Sequence, residues 1–298
     1  MLQWKIPARS LCCRILAFGM LFLLAGCPKP PELPPLYPPV PESELSTEEV
    51  SRIINARAAA FRNMRGLGKV RIQTWEERYK FSEVFVLEQP RRFRLETLGA
   101  FEQPAIFLTS DENLLSLYSK RQNTYYEGVA SQENFFRLSG INLSIDNAIL
   151  ALSGNPPQLS PVSLEWGFLV PGTQQYYLER ISVARDTIQR IWFDSAYHVI
   201  AYMEEYMLSN GELLLRLKFD NYRAEEGGYP LPQNISIDRP LDNTRVNINY
   251  TFFEANQAIS EDTFIFTPPQ NAVVRYIDDV NAEQIEQLAP YQEFRTKE

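Results

Sequence analysis

The chain of 298 residues carries 29 basic and 37 acidic side chains and has a formal net charge of −8. This acidic balance argues against nucleic-acid binding, which uses basic patches, and against electrostatic docking on anionic lipid headgroups. The length is sufficient for one large all-β domain and does not require two.

The first 26 residues have the pattern of a secretory signal peptide. They contain three basic residues and no acidic residue, and the stretch from Leu11 to Ala25 is almost wholly apolar. This stretch is too short for a comfortable transmembrane helix, which needs about 20 apolar residues. Cys12 and Cys13 lie inside it and are expected to leave with the signal peptide.

The apolar stretch ends in Leu24-Ala25-Gly26-Cys27, which resembles the lipobox of bacterial lipoproteins. In that family the signal is removed before the cysteine, which then receives diacylglycerol and an N-terminal acyl chain. The resemblance therefore implies lipidation of Cys27; the alternative is an ordinary cleaved signal with an incidental cysteine. Each buried methylene adds about 0.8 kcal/mol of membrane affinity, so several chains anchor firmly. Because Pro28 rather than Asp follows, the resemblance implies the outer membrane.

Pro28–Pro41 contains eight prolines in fourteen residues. Such a segment favours polyproline II and forms a semi-rigid spacer. The sequence is thus predicted to divide into a signal peptide (1–26), a lipidated cysteine with a proline-rich tether (27–43), a folded domain (44–277) and an acidic tail (278–298).

A helix is predicted after the tether. Ser46 and Glu49 match a capping box, in which each side chain bonds the other residue's backbone amide. Gly66 and Gly68 are expected to end the helix. Its predicted apolar face, at helical spacing, comprises Val50, Ile53, Ile54, Ala58 and Phe61. Three arginines are expected to be solvated on the other side: Arg52, Arg57 and Arg62.

Strands are predicted over almost all of the remaining domain, because short apolar runs alternate with turn residues. Two short helices, Ser131–Leu138 and Ser144–Leu152, interrupt them. Asn210-Gly211 predicts a type I′ hairpin. The predicted strands are Lys69–Trp75, Tyr79–Gln89, Arg92–Leu98, Ala105–Thr109, Leu114–Ser119, Thr124–Glu127, Val162–Leu169, Gln175–Ala184, Thr187–Asp194, Tyr197–Leu208, Glu212–Tyr222, Ile235–Asp238 and Arg245–Phe253. Some are apolar on both faces, which indicates a curled sheet with helices on its concave side.

Three stretches resemble the LolA/LolB lipoprotein-localisation family: Arg92–Gly99 followed by Ala105–Leu108, Ile141–Ser144 leading into Ala148–Gly154, and Phe264–Pro269. The resemblance covers roughly residues 47–277. It implies a mainly β (α+β) fold, a strongly curved antiparallel half-barrel whose concave face is covered by short helices and holds acyl chains. The longer tether, an enlarged Tyr197–Tyr222 hairpin and the acidic tail depart from the family pattern.

The resemblance also implies two sites. The loop after the Leu-Gly strand would contact the membrane, with Leu98 at the aligned position and Phe101 as the bulkier side chain; the alternative is an aromatic ring folded back on the sheet. The acyl-chain cavity would be lined by Trp75, Phe85, Phe107, Leu115, Ile149, Leu152, Trp166 and Trp192. A completely filled core would use the same residues.

Catalytic chemistry is not expected from this sequence. After signal removal Cys27 is the last cysteine, and His198, in a predicted strand, is the only histidine. No Gly-x-Ser-x-Gly elbow and no phosphate-binding glycine loop is present. No metal site, no cofactor and no enzymatic activity are therefore predicted.

The predicted function is that of an outer-membrane lipoprotein facing the periplasm. It would accept acylated lipoproteins from a soluble periplasmic LolA-type carrier, bind their acyl chains and release them into the membrane without covalent chemistry. The alternative is a structural or interaction lipoprotein of an envelope complex, with a filled half-barrel.

Overall fold

The computed structural model describes residues 45–139, 141–224, 228–279 and 294–296. The predicted signal peptide, the lipidation site Cys27 and the proline-rich tether lie outside the described residues. None of the helices within the described ranges is long and apolar enough to cross a membrane.

Three helices and fourteen strands make up the described part of the chain. The helices are α1 (Thr47–Ala60), α2 (Gln132–Ser139) and α3 (Ile145–Leu152). The strands are β1 (Asn63–Gln73), β2 (Arg78–Glu88), β3 (Arg92–Leu98), β4 (Pro104–Asp111), β5 (Leu114–Ser119), β6 (Thr124–Val129), β7 (Leu164–Leu169), β8 (Gln175–Ser182), β9 (Thr187–Asp194), β10 (Val199–Met207), β11 (Leu213–Arg223), β12 (Leu231–Arg239), β13 (Thr244–Ala255) and β14 (Val273–Tyr276).

All fourteen strands form one curved, open sheet in the order β14-β6-β5-β4-β3-β2-β1-β13-β12-β11-β10-β9-β8-β7. Neighbouring strands are antiparallel except for β14, which pairs in parallel with β6. The first and the thirteenth strand meet in the middle, from Met64 opposite Ala255 to Gln73 opposite Arg245. This architecture confirms the predicted fold class, a mainly β half-barrel with short helices.

Helix α1 begins as predicted. Ser46 accepts a hydrogen bond from the Glu49 amide, and the Glu49 carboxylate accepts one from the Ser46 amide, so the capping box is complete. The helix ends earlier than predicted, since Phe61 is already extended. Gly66 and Gly68 lie inside β1, where a Cβ on Gly68 would be 3.3 Å from both the Phe85 and Tyr250 rings. Gly68 therefore gives these two rings room on the inner face of the sheet, whereas a Cβ on Gly66 would be 3.1 Å from the Phe252 carbonyl oxygen.

Arg57 is buried rather than solvated. It lies seven residues after Val50 and three after Ile54, which places it on the same inward face of α1. Its Nη2 atom donates to the Pro230 carbonyl at 2.7 Å, and its guanidinium lies 4.7 Å from the ring centre of Tyr229. The prediction of solvation was wrong because an arginine can occupy an apolar position when carbonyl and aromatic partners meet it.

Strands that are apolar on both faces are buried on each face by a different part of the chain, as β4 shows. Ile106 and Leu108 of β4 belong to the core beneath the helices, whereas Phe107 between them faces the opposite side. There it packs against the tilted ring of Phe266, whose centre is 4.8 Å away, and Phe266 stacks with Tyr118 at 5.2 Å. Helices thus cover one face, and the segment that follows β13 covers the other face of β4 and β5.

The Asn210-Gly211 hairpin forms, but not with the predicted turn. A type I′ turn needs positive φ at both central residues, and of these two only Gly211 has it, at 75°. The Gly211 amide donates to the Met207 carbonyl at 2.8 Å. The connection is consequently longer than a two-residue turn.

Candidate functional site

A small apolar cavity lies between the inner face of the sheet and the helices. Its volume is about 70 Å³. The strands β1, β2, β3, β4, β12 and β13 contribute Val70, Ile72, Phe81, Glu83, Phe85, Leu95, Leu108, Ile237, Val246 and Ile248. The helices α2 and α3 and their connection contribute Phe135, Ser139, Ile141, Leu143, Ala148, Ala151 and Leu152.

The size of this cavity limits what it holds in the described conformation. A water molecule needs about 10–15 Å³ measured in this way, and an engineered cavity of about 150 Å³ binds benzene. At about 70 Å³ the space accommodates a few heavy atoms. In the described conformation this cavity is therefore too small for an acyl chain, and holding one there requires the covering helices to move.

The predicted lining residues are divided among three environments. Phe85 and Leu152 line the cavity, and Leu115 and Ile149 are buried in the adjoining core. Trp75 lies in the β1–β2 turn and is 78% exposed. The other three predicted lining residues, Phe107, Trp166 and Trp192, face the opposite side of the sheet.

The alternation of side chains along a strand explains why Trp166 and Trp192 do not reach the cavity. Side chains alternate between the faces of a strand, and the neighbours of Trp192 in β9, Ile191 and Phe193, belong to the core. Trp192 instead packs edge-on against Tyr177, with ring centres 5.3 Å apart. Trp166 lies on this same outer face, where its Nε1 atom donates to Glu179 at 3.1 Å.

Glu83 is the one charged side chain that lines the cavity within the described residues. It is 3% exposed and lies opposite Gly68 on one side and Thr97 on the other. The Thr97 hydroxyl donates to its Oε2 atom at 2.7 Å. Burial raises the pKa of Glu83 to about 8; the bond from Thr97 opposes this shift and the charge of Glu96 adds to it. At neutral pH the carboxyl group is therefore mainly protonated.

The cover of the cavity consists of α2, the connection to α3, and α3; we call α2 with this connection the lid. Three lid residues form hydrogen bonds to other described elements. The Asn142 carbonyl accepts from Arg239 Nη1 at 3.0 Å, Asn134 Nδ2 donates to the Val129 carbonyl of β6 and to Asp278 at 2.9 Å each, and Arg137 Nη1 donates to the Ile277 carbonyl at 3.2 Å. Arg239 is itself fixed by Asp242, at 3.0 Å. The end of α3 is held by the inner sheet, because the Tyr250 hydroxyl donates to the Leu152 carbonyl at 3.1 Å and the Tyr222 hydroxyl lies 3.2 Å from the Gly154 carbonyl.

Exposed apolar side chains lie at the end of the sheet nearest the cavity. The connections 74–77, 99–103 and 240–243 share this end, since Gln73 pairs with both Arg78 and Arg245 and Ser82 pairs with Leu98. Phe101 is 95% exposed and has a φ of 59°, unusual for a bulky residue. Together with two further exposed residues, Trp75 and Leu241, we call it the apolar rim.

The two residues of the predicted membrane-contact loop, Leu98 and Phe101, thus differ in exposure. Phe101 projects from the β3–β4 turn and is not folded back on the sheet. Leu98, the last residue of β3, is half-buried. Trp75 and Leu241 were not predicted as rim residues. Both follow the end of a strand, a position that identifies a loop but not the loops beside it.

C-terminal residues return to the same end of the sheet. The Thr296 amide donates to the Arg78 carbonyl at 2.8 Å, and Arg295 pairs with Glu77 at 3.0 Å. Phe294 then lies against Phe81, with ring centres 5.4 Å apart. Since Phe81 lines the cavity, Phe294 packs behind a side chain of the cavity wall.

His198 and the acidic residues do not form a metal site in the described residues. His198 lies in the β9–β10 turn rather than in a strand, and its ring stacks on Phe193 with centres 5.8 Å apart. Burial lowers its pKa, an effect that the nearby Asp194 opposes.

Comparison with known proteins finds similar folds. No protein-family model and no curated protein matches the chain. A DUF1329 family protein from Desulfovibrio piger is 12% identical, with a TM-score of 0.51 over 74% of this chain and 97% of that chain. A LolA superfamily protein from Nitrosomonas europaea is 11% identical, with a TM-score of 0.49 over 74% and 98%. A domain from Vibrio parahaemolyticus, described as an outer membrane lipoprotein-sorting protein, is 14% identical, with a TM-score of 0.45 over 74% and 95%.

At 12% identity the similarity to the Desulfovibrio piger protein shows a shared fold alone. The large, curved and open antiparallel sheet with few short helices is consistent with the LolA-like half-barrel that the sequence resemblance implied. Within that fold this chain carries two particular features, the buried carboxyl group of Glu83 at the cavity and the C-terminal Phe294 packed beside it.

Proposed function

We propose that the protein is an outer-membrane-anchored lipoprotein receptor that binds acyl chains of lipoproteins and transfers them to the membrane without catalysis. The observation that carries this proposal is the apolar cavity between the inner face of the sheet and the lid. Ligand sites are typically concave and mostly apolar, with few polar groups, and this cavity matches that description.

Binding requires the lid to move outward. The residues that would line an enlarged space are those that already surround the cavity, because they are apolar and continuous with the inner sheet. Each methylene that leaves water gains about 0.8 kcal/mol. An acyl chain of many methylenes therefore supplies enough free energy to offset the lid's hydrogen bonds at Asn134, Arg137 and Asn142, which contribute about 1–2 kcal/mol each.

The apolar rim supports delivery to a bilayer. Phe101 and Trp75 are exposed on loops close to the cavity, and aromatic side chains of this kind insert into the membrane interface. Lipidation of Cys27 and the tether would keep this rim within reach of the outer membrane. The acylated cargo would come from a LolA-type carrier in the periplasm.

A second candidate is the structural or interaction lipoprotein with a filled half-barrel. The small volume of the cavity favours it. In that case the lid stays closed, and neither acyl chains nor apolar dyes enter.

Transfer from a carrier tests the two candidates. The mature chain with Cys27→Ala, incubated with a lipoprotein-loaded LolA-type carrier, is expected to take up the lipoprotein and to pass it to outer-membrane vesicles. Ala148→Leu places a larger side chain in the cavity and is expected to abolish uptake. Ala60→Leu, on the exposed side of α1, is the matched control and should leave uptake unchanged. A folded protein that takes up no lipoprotein contradicts the receptor function.

A further inference from the structure

The carboxyl group of Glu83 has one unused hydrogen-bonding position at the cavity. The hydrogen bond from Thr97 occupies its Oε2 atom and is the only one that Glu83 makes with described residues. Glu83 is 3% exposed, yet it lines the cavity. A carboxyl oxygen at an apolar cavity without a hydrogen bond from the described residues is available to a polar group of a ligand.

The surroundings of Glu83 determine which form of the carboxyl group faces the cavity. Gly68 on β1 and Thr97 on β3 are its cross-strand neighbours, and neither carries a charge. Among the described lining residues from the other strands, the helices and the lid, Ser139 is the one other polar side chain. None of the described lining residues is a cation, and the nearby Glu96 disfavours ionisation of the carboxyl group. Its protonated form, which presents an O–H donor, is the stable one at neutral pH.

We propose that Glu83 donates a hydrogen bond to the carbonyl oxygen of a bound acyl group, so that the cavity selects ester- or amide-linked chains over alkyl chains without a carbonyl. This inference rests on the proposed acyl-chain binding and adds its chemical selectivity. Thr97 orients the acid by donating to one oxygen, which leaves the other oxygen to carry the proton toward the ligand.

Other ligand groups fit this position less well. A phosphate or carboxylate would meet no basic residue in the described lining. A protonated amine would require the ionised carboxylate, which burial disfavours. A neutral carbonyl needs one donor and no counter-charge, which is the arrangement present.

Two lipids that differ in a single carbonyl test the proposal. The mature chain with Cys27→Ala is loaded with the apolar dye N-phenyl-1-naphthylamine, which is then displaced by 1-monopalmitoylglycerol, an ester, or 1-O-hexadecylglycerol, an ether of the same chain length. One hydrogen bond contributes about 1 kcal/mol, so at pH 6.5 the ester is expected to bind roughly 5- to 10-fold more tightly. At pH 9.5 this preference is expected to fall below about 2-fold, because Glu83 has lost its proton.

Two variants separate hydrogen bonding from packing. Glu83→Gln keeps an N–H donor and does not titrate, so it should prefer the ester at both pH values. Glu83→Leu keeps an apolar side chain of similar size and should lose the preference at both, while still binding the dye. The affinity for the ether, which has no carbonyl group, measures any general effect of pH on the fold.

The outcomes distinguish this proposal from the proposed function. Dye binding with equal affinity for ester and ether at pH 6.5 overturns the carbonyl contact and leaves acyl-chain binding intact. Tighter binding of hexadecylamine than of the ester at pH 6.5, where Glu83 is expected to be protonated, would assign a cation site and also overturn it. A folded protein that binds neither the dye nor the lipids overturns both proposals.

Discussion

Glu83→Gln should change how the stability of the protein depends on pH. The substitution removes the ionisable group, keeps the shape of the side chain and preserves an oxygen that accepts from Thr97. In the wild type, burial raises the pKa of Glu83 from 4.5 to about 8. In the unfolded chain the carboxyl group is solvated and its pKa returns to its ordinary value.

The sign and the magnitude follow from this difference in pKa. Glu83 keeps its proton to a higher pH in the folded state than in the unfolded state. Its contribution to the stability of the wild type is therefore largest below about pH 4.5. Its free energy of unfolding then falls by about 1.4 kcal/mol for each unit as the pH rises toward 8. Between pH 5 and pH 8 the loss is about 4 kcal/mol, and the variant avoids it.

Urea denaturation at pH 5, 6, 7 and 8 measures this effect. The free energy of unfolding of Glu83→Gln minus that of the wild type should grow with pH, with most of the growth completed by about pH 8. Glu96→Gln is the matched control, since Glu96 lies on the adjacent strand outside the cavity lining and should leave most of the slope in place. A difference between wild type and Glu83→Gln that stays constant over this range would refute the reasoning, because Glu83 would then titrate alike in both states.

Three further substitutions test the rim, the helix packing and the C-terminal wall. Phe101→Asn should leave stability within about 0.5 kcal/mol, since the ring is exposed and Asn tolerates positive φ, and should reduce co-sedimentation with phospholipid vesicles several-fold. Arg57→Ala should destabilise the fold by about 2–3 kcal/mol in urea denaturation, because the Pro230 carbonyl and the tyrosine rings lose their partner. Phe294→Ala should raise the affinity for N-phenyl-1-naphthylamine several-fold by uncovering Phe81.

Each of these substitutions has a control in the same chain. Phe252→Ser removes an exposed aromatic side chain from mid-sheet and should not alter vesicle binding; equal losses for both variants would argue against a specific rim. Arg52→Ala, on the solvated side of α1, should have little effect, and a similar result for Arg57→Ala would contradict its buried role. Arg295→Ala should leave dye affinity unchanged, and an unchanged affinity for Phe294→Ala would show that the terminus does not restrict access.

The antiparallel hairpins could be predicted from sequence because their signals are local. Alternating apolar residues and polar turns define β3, β5 and β9 to the residue. Strand β14 was missed because it pairs in parallel with β6, and a parallel pairing leaves no hairpin signal. The end of α1 was misplaced because Gly66 and Gly68 resemble helix terminators, whereas their role depends on rings from distant positions.

The cavity residues could be found only in part. Glu83 occupies an inward position of β2, between Phe81 and Phe85, so strand alternation alone indicates a carboxyl group on the apolar face. The tryptophans were assigned to the cavity for their size, although the same alternation places Trp192 on the outer face. The volume left between inward side chains depends on how the sheet curves and how α3 packs, and no local pattern in the sequence encodes either.

The pairing of β1 with β13 in the middle of the sheet, which we call the central seam, has a consequence for how the chain folds. The strands β1–β6 and β7–β13 are each joined by sequential antiparallel pairs, so each half can form through short-range contacts. The pairing of β1 with β13 joins Met64 to Ala255, and it closes a loop that includes nearly the whole domain. Because long-range closure is entropically costly and slow, the two halves are expected to assemble before the seam. Folding kinetics of this chain should therefore be most sensitive to substitutions along β1 and β13.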